Sequence, residues 1–232
     1  MSASDLESFK RAAALAAVPY VKDGMVVGLG TGSTAKHFVT ALGEKVKMGL
    51  HVRGVCTSRE TASLAAQCGI AVIDNEHRWT IDMAFDGADQ VDASFNLIKG
   101  GGGALLKEKI VAASAKQFIV LVDHTKQVSV LGGSFPLPVE VVTFGWGSTA
   151  REIERLTQSR VVLREQGGAP FTTESGNFIV DVHLARIDRP DELEIVLNHI
   201  PGVVETGLFV GRTDVLIVGT PHGTETHNVK RA

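Results

Sequence analysis

Apolar residues repeat along this chain with two periods, and the alternation between them outlines a fold. Leu6, Phe9, Ala13, Ala16 and Ala17 recur at helical spacing behind Ser4 or Asp5, which predicts an amphipathic helix over 4–19, with Pro19 and Gly24 framing its end. MVVGLG (25–30) is a short β-branched run, TGST a turn, and AKHFVTALGEKVKMG (35–49) a helical pattern. HVRGVCTS with RETASLAAQCG (51–69) repeats strand and helix, and IAVID (70–74) and IDMAF (81–85) add two apolar strands. KGGGGALLKEKIVAASAK (99–116) reads as a glycine loop feeding a helix, and QFIVLVD (117–123) as a strand buried on both faces. Strands alternating with helices predict an α/β fold, a Rossmann-like parallel sheet with helices on its faces.

A different order follows. LGGSFPLP (131–138), rich in Gly and Pro, marks a domain crossing. PVEVVTF, GSTAREIERLTQ, RVVLRE, GNFIVDVHLA, DELEIVLNHI and VETGLF then alternate as βαββαβ, the order of a smaller ferredoxin-like α+β domain. VLIVGT (215–220) returns to the large sheet. The expected division is a discontinuous catalytic domain, 1–130 with 207–232, and a small lid domain, 131–206.

With 23 basic and 26 acidic side chains in 232 residues, the chain has no basic field for a nucleic-acid backbone, so nucleic acid is not an expected partner. No apolar run approaches the roughly 18 residues that span a bilayer. Charge interrupts the N-terminal apolar residues, unlike a signal or transit peptide. Cys56 and Cys68 form no CxxC pair and read as free thiols. Together these features predict a cytoplasmic protein that does not engage a membrane.

Four segments can carry chemistry. Thr31, Gly32, Ser33 and Thr34 lie between a strand and a helix, where free N–H groups, the helix dipole and hydroxyls suit a phosphate monoester; a tight capped turn is the plainer reading. Gly30, Gly32 and Ala35 also match GxGxxA, but no carboxylate follows where a ribose would need one; Arg53 and Arg59 leave NADP as an alternative. Asp86, Gly87, Ala88 and Asp89 end a strand where open sheets place ligands, and their carboxylates can grip vicinal hydroxyls, exchange protons or simply cap a turn. Lys99 precedes Gly100, Gly101, Gly102 and Gly103, an entropically costly run that suggests backbone close to a substrate. Lys99 can stabilise an oxyanion and Glu108, in the following helix, can act as a base, although a helix glutamate is usually solvated. Lys126 sits at the end of another strand. The eight histidines lack metal-ligand spacing, so no metal is expected; a hard cation on Asp86, Asp89 and Glu108 is the alternative.

Taken in order, VGLGTGSTA, FDGAD, IKGGGGALLKEK, FPLPVEV, SGNFIVDV and IPGVVETGLF resemble ribose-5-phosphate isomerase type A over essentially the whole chain. The first loop alone would also fit glucosamine-phosphate deaminases, CoA transferases and sugar-sensing repressors. The resemblance implies interconversion of ribose 5-phosphate and ribulose 5-phosphate in the non-oxidative pentose phosphate pathway, without a cofactor, by a homodimer or homotetramer. It also implies substrate contacts from Thr31, Gly32, Ser33, Thr34, Asp86, Gly87, Ala88, Asp89, Lys99, Gly100, Gly101, Gly102 and Lys126. Glu108 becomes the proton acceptor, with Asp86, Asp89 and Lys99 as its catalytic partners, and Lys10 aligns loosely with a phosphate-side lysine. Gln90 stands where the family has Glu, and His124 where it has a small residue. A noncatalytic sugar-phosphate sensor would need neither Glu108 nor Lys99, and an NADP-dependent oxidoreductase would need the nucleotide.

Overall fold

A computed structural model describes residues 3–73 and 78–229. In chain order, α1 (Ala3–Ala17) passes through a 3-10 turn (Val18–Tyr20) to β1 (Val26–Leu29), α2 (Ser33–Lys47), β2 (Arg53–Cys56), α3 (Arg59–Gln67), β3 (Ala71–Val72) and β4 (Ile81–Asp86). Short strands β5 (Gln90–Val91) and β6 (Leu97–Ile98) precede α4 (Leu105–Ser114), β7 (Ala115–Asp123) and a 3-10 turn (His124–Lys126). There follow β8 (Leu137–Val141), α5 (Trp146–Thr157), β9 (Arg160–Leu163), β10 (Glu165–Gln166), β11 (Ala169–Pro170) and β12 (Phe178–His183). The last elements are α6 (Pro190–Asn198), β13 (Val203–Thr206), β14 (Leu208–Phe209), β15 (Val215–Thr220) and β16 (Gly223–Asn228).

The chain divides into two units, Met1–Ala88 with Lys107–Lys126 and Gly211–Ala232, and Asp89–Leu106 with Gln127–Val210. Among the described residues the first unit holds a seven-stranded sheet ordered β16-β15-β7-β4-β1-β2-β3. All its pairings are parallel except β15 with β16. Its inner strands read as unbroken apolar runs because helices cover them: Ala13, Ala17, Phe38 and Leu42 from α1 and α2 share one core with Val27, Phe85, Ile119 and Ile217. Phe38 stacks on Phe85, with ring centroids 4.2 Å apart. α4 lies so close to β1 that a methyl group on Gly28 would fall 2.6 Å from Val111 Cγ1.

In the second unit β13-β8-β12-β9 form an antiparallel sheet, and with α5 and α6 they realise the βαββαβ order. Leu137, Val139, Val141, Ile153, Val180, Val182 and Leu197 form its core. A second sheet, β14-β6-β5, explains the difference from the expected domain limits. Because β6 pairs with both β5 and β14, Asp89–Leu106 belongs with the chain after Gln127, and the return to the first unit comes at Gly211 rather than at 207. Strands of two residues show no period in a sequence, which is why this sheet escapes the pattern. The hairpin β10-β11 and the exposed edge strand β16 escape it as well, and the run expected at 70–74 contributes only Ala71–Val72, its end at Asp74 lying outside the described residues. Among the described residues no helix is long and apolar enough to cross a membrane.

Candidate active site

The first unit aligns the carboxyl ends of β7, β4, β1 and β2, and most of the chemically suggestive side chains of that unit lie there. The loop after β1 is fastened to the end of β4: Gly30 N–H donates to the Phe85 carbonyl at 2.9 Å and Thr31 N–H to Asp86 Oδ1 at 3.1 Å. Asp86 is 3% exposed, and its Oδ1 also accepts from Gly87 N–H at 2.8 Å. A methyl group on Gly30 would fall 2.1 Å from this carboxyl group, so only glycine lets Asp86 lie against the loop. Gly32, at φ +109°, opens α2 without a side-chain cap. The first turn of α2 thus has no side-chain cap, an arrangement that favours an anion, with Ser33 exposed and Thr34 buried there.

The hydroxyl of Thr31 takes a different direction from the one the sequence suggests. It donates to Ser58 Oγ at 2.9 Å and lies 2.7 Å from Thr57 Oγ1 and 3.3 Å from Thr61 Oγ1. Ser58 caps α3 by accepting from Thr61 N–H, so Thr31 ties the loop to the start of α3. The sequence signal for this cluster is the serine directly ahead of the RETASLAAQ pattern, a helix-start signature that the glycines of the first loop overshadow.

Glu108 stands in the first turn of α4 and is 5% exposed. Its place follows from connectivity. Ala115, just after α4, pairs with Ile81 at the start of β4, so α4 ends at the amino edge of the sheet and begins toward the carboxyl edge. Val111 touches β1, and Glu108 is nearly one turn nearer that carboxyl edge. Lys126, half-buried, closes the 3-10 turn after β7, which Asp123 Oδ1 holds by accepting from the N–H and hydroxyl of Thr125. His124 sets its ring edge-on to Phe9 of α1 at 5.4 Å, a packing role that accounts for its size. Lys10 is paired with Glu7 at 2.7 Å, and Glu7 also meets His37 at 2.9 Å; these two partners hold the Glu7 carboxyl below its usual range.

The remaining candidates, Asp89, Lys99, Gly100, Gly101 and Gly102, belong to the second unit. Lys99 is 3% exposed, donates its N–H to the Gly207 carbonyl at 2.9 Å, and holds Nζ 5.5 Å from the centre of the Phe209 ring, a cation–π contact. Gly100, at φ +101°, starts a tight turn closed by Gly103 N–H to its carbonyl at 3.0 Å. Asp89 Oδ2 accepts from Gly101 N–H at 2.8 Å. Gln90 clamps a distant stretch of backbone, its Nε2 donating to the Gly132 carbonyl at 2.9 Å while Oε1 accepts from Gly132 N–H at 2.8 Å. An ionised glutamate could not donate there. Among the described residues no group of three or more His, Cys, Asp and Glu is placed to hold a metal ion.

In the first unit, two buried carboxylates and an uncapped helix start beside a glycine loop suit proton transfer on a small phosphorylated substrate. Comparison with known proteins agrees. The sequence profile of the family described as ribose 5-phosphate isomerase A (phosphoriboisomerase A) matches residues 53–223. A ribose-5-phosphate isomerase A of Jannaschia sp. is 50% identical over 229 residues, covering 95% of this chain and 87% of that protein. The structure of a D-ribose-5-phosphate isomerase in complex with phospho-erythronic acid superposes with TM-score 0.94 at 41% identity, covering 99% of this chain and 100% of that one. That of ribose 5-phosphate isomerase A from Methanocaldococcus jannaschii gives TM-score 0.91 at 42% identity, covering 96% and 99%. With a profile spanning most of the chain and relatives matched nearly end to end, this chain belongs to the ribose 5-phosphate isomerase A family.

Proposed function

We infer that the chain interconverts ribose 5-phosphate and ribulose 5-phosphate through an enediolate, with Glu108 as the single proton carrier. The observation that carries this reading is a carboxylate 5% exposed in the first turn of a helix at the carboxyl edge of a parallel sheet. Moving a carbonyl between C1 and C2 requires a proton to leave one carbon and return to its neighbour, and one carboxylate can act first as base and then as acid. The start of α2, with Gly32, Ser33 and Thr34, binds the phosphate, while Thr31 fixes that loop. Lys99 and the glycine run at 100–102 stabilise the oxyanion. Asp86 and Asp89, with Gly87 and Ala88 between them, orient hydroxyls and assist ring opening, and Lys126 adds a substrate contact.

Proton transfer through an enediolate consumes no redox cofactor, and the reaction serves the non-oxidative pentose phosphate pathway. The free thiols Cys56 and Cys68 suit a reducing cytoplasm, and the working form is a homodimer or homotetramer. Phospho-erythronic acid, bound by the relative above, pairs a phosphate with a planar carboxylate and should compete with substrate here. The deciding experiment is turnover of ribose 5-phosphate in D2O, by the wild type and by Glu108→Gln. Deuterium in the product, with turnover in the variant lower by about 10²- to 10⁴-fold, is the expected outcome. Substantial activity in Glu108→Gln would remove Glu108 from the mechanism, and full activity loss on chelation would replace this reading with a metal-assisted one.

A further inference from the structure

One arginine of the second unit is gripped from both sides. Arg164, immediately after β9, directs Nε and Nη2 at the carboxylate of Asp181 in β12, with Nε 2.9 Å from Oδ2. Its Nη1 donates to the carbonyls of Gly100 at 2.8 Å and Gly101 at 3.1 Å. Both charged side chains are largely buried, at 15% and 17% exposure, so the pair is shielded from the screening that weakens surface ion pairs.

The carbonyl of Gly100 and the N–H of Gly101 belong to one peptide group. Arg164 holds its oxygen, and its N–H donates to Asp89 Oδ2. A peptide between two glycines meets little steric resistance to turning over, and Gly100 already sits at φ +101°. Turned over, this peptide would aim its oxygen at a carboxylate and withdraw the Gly100 carbonyl from both Gly103 N–H and the guanidinium, which would keep only Gly101 and Asp181. Arg164 adds a charge to the orientation that the Gly103 N–H also favours, and the positive charge on the oxygen side polarises the N–H toward Asp89.

We propose that Arg164 is a positioning residue for the reaction: braced by Asp181, it sets the Gly100–Gly101 peptide so that the N–H holds the Asp89 carboxylate in its working orientation. The proposal rests on the reading of Asp89 as a group that handles substrate. Arginine is required because one planar fork must serve a carboxylate on one side and two carbonyls on the other, which the single ammonium of lysine cannot do.

A double-mutant cycle tests this. Arg164→Met should lower kcat roughly tenfold to a hundredfold, the scale of one lost hydrogen bond to a charged group, with KM changed less than about threefold because the phosphate loop lies in the first unit. In an Asp89→Asn background the same substitution should cost less than about twofold, because its effect runs through a carboxylate already gone. Arg164→Lys, which keeps a cation and perturbs folding less, should recover only part of the loss, and Gly101 amide exchange should quicken in both Arg164 variants. Equal losses in the two backgrounds would overturn the proposal while leaving the role of Asp89 intact. Wild-type turnover by Asp89→Asn alone would overturn both. Unchanged kcat in a folded Arg164→Lys, with Gly101 still protected, would also overturn it.

Discussion

Two threonines three residues apart divide structural work from the proposed binding work in the first loop. Thr31 spends its hydroxyl on Thr57, Ser58 and Thr61, whereas Thr34 lies buried in the first turn of α2, beside the N–H groups that suit a phosphate. Thr34→Val keeps the shape and removes a donor, so it should weaken substrate binding by about 1.5–3 kcal/mol with little change in melting temperature. Thr31→Val should do the reverse, lowering stability by about 0.5–1.5 kcal/mol for the broken network and raising KM less. Paired KM and thermal-melt measurements check the contrast, and a larger KM effect at Thr31 than at Thr34 would mean that the phosphate sits on the α3 side.

At the scale of elements, one carboxylate joins three adjacent strands at the amino edge of the sheet, opposite the candidate active site. Asp82 of β4 accepts from Val26 N–H at the start of β1 at 2.9 Å, and from Lys116 Nζ of β7 at 2.7 Å. The Lys116 ammonium first, and then the Val26 N–H, hold the Asp82 carboxyl below the ordinary aspartate range. The unfolded chain therefore binds this proton more readily than the folded one. The stabilisation is fully present above the unfolded value and is lost as pH falls through the lower folded value. Asp82→Asn should melt lower than wild type at neutral pH, and the difference should shrink as acid protonates the wild-type carboxyl. A gap that stayed constant from neutral to strongly acid solution would show that the charge at Asp82 contributes nothing. Activity at neutral pH should survive the substitution, since the amino edge holds none of the proposed substrate contacts.

For the molecule as a whole, the candidate residues divide between two units: Asp86 and Glu108 in the first, Asp89 and Lys99 in the second. The chain passes between the units four times, and the first two passages, within the Asp-Gly-Ala-Asp run and within α4, lie beside residues proposed for the chemistry. The proposed assembly is a homodimer or homotetramer. Light scattering should give a mass of two or four chains at working concentrations, and a single-chain mass at every concentration, with full activity, would refute it.

Much of this is legible in the sequence because its cause is local. The buried strands of the first unit, the βαββαβ order of the second, and the glycine turns before α2 and α4 each follow from side-chain period or backbone freedom over a few residues. So does the placement of Thr34, Asp86 and Glu108 at element ends. The tertiary structure decided what depends on partners distant along the chain. It assigned 89–106 to the second unit through strands too short to show a period. It turned the Thr31 hydroxyl toward α3, gave Gln90 a backbone clamp at Gly132, and brought Arg164 to carbonyls more than sixty residues earlier. A sequence records which side chains can bury or bond, but hydrogen-bond direction is fixed only when packing brings separate segments within about 3 Å, and that choice belongs to the fold.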